Sequence, residues 1–91
     1  MFTVFTVVRI DPAKWDTSAA ILMLEDQLIP QIKQIPGFVK GTWFGNDRVG
    51  HGVVVFDTQE HATQAVQLVD STVADGIEVA SSDVYEVHAE A

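Results

Sequence analysis

Three histidines, two tryptophans and one tyrosine are the side chains of these 91 residues best suited to chemistry, because the chain has no cysteine. Without thiols there is no disulfide, no thiolate metal site and no sulfur nucleophile. A free imidazole titrates near ~6.5, so His61 or His51 would serve as a general base around neutral pH. His61 falls in the first turn of an expected helix, where the positive end of the dipole disfavours its charged form. An exposed or stapling role is the plainer alternative for it. His51 follows an expected turn, and His88 lies in the last expected strand. Nine residues separate the closest pair of histidines, so no His-x-His or His-x3-His spacing exists and no metal site is expected. Trp43 is flanked by Gly41 and Gly45 and would lie across from Gly52, which leaves room beside its indole for a flat ligand to stack. The alternative is that the ring itself fills the space those glycines leave. Tyr85 would touch a ligand or sit half-buried with its hydroxyl at a rim. Asn46 suits a turn, since its side chain tolerates left-handed backbone and bonds locally. Gly50-His51-Gly52 stands between a turn and a strand rather than ahead of a helix, so it makes no phosphate cradle.

These residues must be held by a small set of elements. Met1 to Ile10 is β-branched and aromatic on both parities, so both faces of this strand expect cover. Asp11-Pro12 breaks it, and Asp16, Thr17 or Ser18 would cap a helix. Trp15, just ahead, would anchor against that helix or against a neighbouring subunit. Ile21, Leu24, Leu28, Ile32 and Ile35 recur at helical spacing, with Pro30 inside the pattern as an expected kink and Pro36-Gly37 as its end. Phe38 to Gly45 and Gly50 to Asp57 read as a hairpin around Asn46-Asp47-Arg48-Val49. Asp57 or Thr58 would cap a second helix with Glu60 or His61 near its third position. Its buried stripe would be Ala62, Ala65, Val66, Val69 and Val73, and Asp75-Gly76 would close it. Ile77 to Ala89 reads as a last strand interrupted near Ser81-Ser82-Asp83. The order β-α-β-β-α-β gives a single α+β domain over residues 1–91, ferredoxin-like, with a four-stranded antiparallel sheet and two helices on one face. By parity, Val39, Gly41, Trp43, Gly52, Val54 and Phe56 share one face of the hairpin. Lys40, Thr42, Phe44, His51, Val53 and Val55 share the other, too apolar for water, and are expected to meet a partner sheet.

Composition narrows the function. Thirteen acids against five scattered bases leave a net charge of −8, so neither nucleic acid nor an anionic membrane is an expected partner. The longest apolar run, Ala19 to Leu24, is six residues, against about 18 for a bilayer span. The opening Met1-Phe2-Thr3-Val4 has no basic region, no leader is expected, and the protein is read as cytoplasmic. With 47% apolar residues, a lone domain of this size has more apolar surface than it readily buries, which points to an oligomer.

An opening strand, Ile35-Pro36-Gly37-Phe38 at the end of the first helix, a Gly41-x-Trp43 strand and Val55-Phe56-Asp57-Thr58-x-Glu60-x-Ala62 entering the second helix occur together here. The combination resembles the dimeric α+β barrel superfamily, in particular domains like those of the antibiotic biosynthesis monooxygenases. The likeness spans nearly the whole chain and is carried by turn and packing residues. It implies a homodimer and, in the oxygenase branch, chemistry without a cofactor on electron-rich polycyclic phenols. The Trp, Asn, Tyr and Arg side chains that such enzymes set around a cleft between sheet and helices would correspond here to Trp43, Asn46, Tyr85 and Arg48. The haem-degrading branch fits less well. Its first-strand Asn has no counterpart beside Thr3 and Thr6, and the second helix carries His61 but no Trp.

The expectation is therefore a homodimeric α+β barrel with an apolar cleft in each subunit for a small aromatic or polyketide-like molecule, and no cofactor. If catalytic, it would be a cofactor-free monooxygenase: His61 or His51 deprotonates a phenol, Trp43 stacks on the ring, and Arg48 steadies the phenolate. The alternative is a non-catalytic dimer that binds a ligand or stabilises another polypeptide. Fold similarity alone does not choose between them.

Overall fold

The computed structural model describes residues 1–72 and 74–91. Strands β1 (Phe2–Ile10), β2 (Phe38–Gly45), β3 (Val49–Phe56) and β4 (Ile77–Glu86) form one antiparallel sheet in the order β2-β3-β1-β4. The helical segments are α1 (Thr17–Met23), a π-helical turn (Leu24–Leu28), α2 (Ile29–Lys33) and α3 (Gln59–Thr72). The first three are contiguous, so the architecture is the expected ferredoxin-like α+β fold with two helical runs on one face of the sheet.

Local chemistry sets the ends of these elements. Asp16 caps α1 by accepting a hydrogen bond from the Ala19 N–H at 2.7 Å. Thr58 caps α3 by accepting from the His61 N–H at 3.2 Å. Gly37 and Gly76 both take left-handed backbone, with φ of 83° and 88°, a conformation that costs glycine nothing. Pro30 has no N–H to give and would clash with a carbonyl one turn back. The helix meets this by widening: Ile29 N–H bonds back to Leu24 O, and Pro30 then falls in the first turn of α2. The expected kink is thus a π-turn.

The strands also depart from regularity in two places. Pairing shifts between Phe38 and Lys40, so Phe38 rather than Val39 takes the core face, and Val39 is exposed. In β4, Val7 pairs with Ser81 and Val8 with Val79, which leaves Ala80 as the extra residue of a bulge. This is the interruption expected near Ser81, and the strand continues through it.

Val4, Val54 and Phe56 from the sheet, Ile32 from α2, and Ala62, Ala65 and Val69 from α3 form the core. Phe56 is fully buried and meets Phe38 edge-on with ring centroids 6.1 Å apart. Val73, expected in the same stripe, lies outside the described residues. The two helical runs sit differently on the sheet. α3 presents alanines and packs closely on β1, β3 and β4. The first helical run presents Ile21, Leu24 and Leu28 and stands farther off, because longer side chains hold two backbones apart.

Candidate ligand cleft

Beneath that raised helix the hairpin half of the sheet is rich in glycine. Gly41, Gly50 and Gly52 all fall on the helix-facing parity, beside Val54, Val4 and Val8. A long-chained helix above a glycine floor leaves an apolar cleft of about 240 Å3. Val8, Leu24, Leu28 and Trp43 make much of its wall, and Ile21, 47% exposed, stands at its edge.

Trp43 lies flat on the floor. A Cβ at Gly41 would come within 2.5 Å of the far end of its indole, and one at Gly52 within 3.0 Å of its pyrrole edge. The glycines are therefore the bed of the ring, as the packing alternative holds. The same ring also borders the cleft and is only partly buried, so both readings of Trp43 describe one arrangement.

Polar groups form a sparse fringe. Thr6, Thr17, Gln27, Asn46, Asp47 and Thr72 border the cavity. Thr6 shares a hydrogen bond with Ser82 at 3.1 Å. Asn46 builds the hairpin turn: its Oδ1 accepts from the N–H groups of Arg48 and Val49, each at 2.9 Å. Asp47, the next residue, is exposed and is, among the described residues, the one Asp, Glu, Lys or Arg on the cavity's border. Arg48 is exposed and does not line the cavity.

The histidines lie elsewhere. His61 Nδ1–H donates to Asp57 Oδ1 at 2.7 Å beside Gly37. Neither residue borders the cleft, and His61 is 26% exposed at its side chain. The bond from His61 holds the Asp57 carboxyl below its usual value, with desolvation opposing it. A carboxylate that orients an imidazole in this way is an arrangement general bases use. Here it also locks a turn: a Cβ at Gly37 would collide with Asp57, and Asp57 N–H bonds to Gly37 O at 3.0 Å.

His51 borders the cavity from β3, but strand alternation puts its ring on the opposite face of the sheet, between Phe44 and Phe5. The ring centroids are 5.1 and 6.0 Å away, both stacked. Its Nδ1 is buried there with no hydrogen-bond partner among the described residues. Tyr85 is on that open face as well, opposite Thr3 and 52% exposed. His88 is exposed past the end of β4. Trp15 ties the segment ahead of α1 to the loop ahead of β4, its indole N–H donating to Asp75 O at 2.7 Å.

Of the six residues singled out from the sequence, the structure brings Trp43 to the cleft by its ring, and Asn46 and His51 by their positions in the hairpin. His61, Arg48 and Tyr85 are not among its lining. Sequence reasoning missed the helical half of the wall, Thr17 to Leu28, and the threonine at position 6. Their signal was present in the large apolar residues of one helix set against the alanines of the other. No family model matches the chain, and no curated protein matches it.

Proposed function

We propose that the protein binds a small apolar molecule, aromatic in character, in the cleft between the first helical run and the sheet. The observation that carries this reading is the partly exposed Trp43 ring lying on a glycine floor inside an apolar cavity of about 240 Å3. Binding sites of this kind are mostly apolar with a few convergent polar groups. The hydroxyl and amide fringe matches that description.

The resemblance to antibiotic biosynthesis monooxygenases adds a reaction to this reading, oxygenation of a phenol without a cofactor. That chemistry needs a base within hydrogen-bond reach of the substrate proton. Both candidate bases, His61 at Asp57 and the His51 ring between Phe44 and Phe5, lie away from the cavity. The geometry thus favours a binding protein over an oxygenase.

The same proposal includes a homodimer. Phe5, Val7, Phe44, His51 and Val53 share a sheet face that, among the described residues, no helix covers, with Phe44 53% exposed. Burying it against a second copy would remove that apolar area from water. Native mass spectrometry of freshly purified protein tests both parts. The expected mass is two chains with a small molecule bound to each, and a bare monomer would overturn the reading.

A further inference from the structure

We infer that the cleft selects by charge, taking a flat lipophilic amine in preference to a neutral analogue and discriminating against an anionic one. This rests on the cleft being a ligand site. At the ~0.74 packing density of protein interiors, about 240 Å3 holds roughly two fused rings with a short arm. An ion entering such a space gives up its hydration and must recover it from the wall. For an anion the wall offers little. None of the five bases lines it: Arg9 pairs with Glu78 at 3.6 Å, Lys14 with Asp75 at 2.9 Å, Lys33 and Lys40 are exposed, and Arg48, next to Asp47 in the turn, is exposed and outside the lining. At the start of α1, beside Thr17, the Ala19 N–H is already taken by the Asp16 carboxylate and the Ala20 N–H by the Asp16 carbonyl.

A cation finds the opposite. Asp47 stands at the hairpin end of the cavity, and no ion pair engages it among the described residues. The ring on which a ligand would lie is an indole, whose face attracts positive charge. The chain's net charge of −8 adds a long-range pull of the same sign. A bicyclic ligand with its rings over Trp43 and its ammonium toward Asp47 would draw on both features.

Isothermal titration calorimetry with three matched probes tests this: naphthylmethylamine, naphthalenemethanol and naphthoate, at neutral pH and low salt. The amine is expected to bind at least about tenfold more tightly than naphthoate, with the alcohol between them. Asp47→Asn is expected to bring the amine to within about twofold of the alcohol. Naphthoate binding as tightly as the amine would overturn the charge selection while leaving the cleft as a site. An unchanged amine affinity in Asp47→Asn would overturn the part given to Asp47. Saturable binding of none of the three would overturn the cleft reading itself, and this inference with it.

Discussion

Trp43 owes its place to what its neighbours lack. Parity of the hairpin put Gly41, Trp43 and Gly52 together on one face, and the register agrees. Gly41→Ala would drive a methyl into the indole at about 2.5 Å, and overpacking of this sort costs about 1–3 kcal/mol. Urea unfolding with tryptophan fluorescence should show a loss of that size, with a smaller one for Gly52→Ala, whose Cβ would sit 3.0 Å away. Val39 was misplaced because a bulge adds a residue without leaving a trace in the alternation. The Asp57–His61 bond makes its own prediction. The folded carboxyl titrates below its ordinary value, so it stabilises the fold above about pH 4 and loses that contribution as pH falls through the folded value. Asp57→Asn should therefore lower the urea midpoint near neutrality, and the gap from the parent should close in acid. Both side chains are partly solvated, which keeps the effect small.

At the scale of elements, caps and stops were legible and heights were not. Asp16, Thr58, Gly37 and Gly76 act locally, through bonds and backbone angles that their own residue types favour. Asp16→Ala should cost about 1 kcal/mol, read as a lower melting temperature with the helix content of the folded state retained. The π-turn ahead of Pro30 was visible only as a kink, since the proline announces a missing donor but not which bond replaces it. The cleft was harder still. It exists because α3 meets the sheet through Ala62 and Ala65 while the first run meets it through Ile21, Leu24 and Leu28. That is a difference between two packings, and no single segment contains it. The histidines failed as markers for a related reason: their types suggest bases, but only the register tells that the ring of His51 turns away from the cavity.

At the scale of the molecule, one face of the sheet is layered and the other is bare. The bare face carries a stacked Phe44–His51–Phe5 row and a buried, unpartnered His51 Nδ1. Orphaned polar atoms of this kind call for a partner. Phe44→Lys would place a charge in the middle of the proposed dimer surface. Light scattering should then give a mass of one chain where the parent gives two, with the circular dichroism unchanged. The cleft, on the other side, remains the centre of the functional reading. Among the described residues, no helix is long and apolar enough to cross a membrane. The most direct test is a chemical-shift titration of the labelled protein with naphthalenemethanol. Saturable shifts concentrated at Thr6, Ala20, Leu28, Gly52 and the Trp43 indole would place the ligand between helix and glycine floor. Saturable shifts confined to Phe5, Phe44 and His51, or none at all, would contradict it.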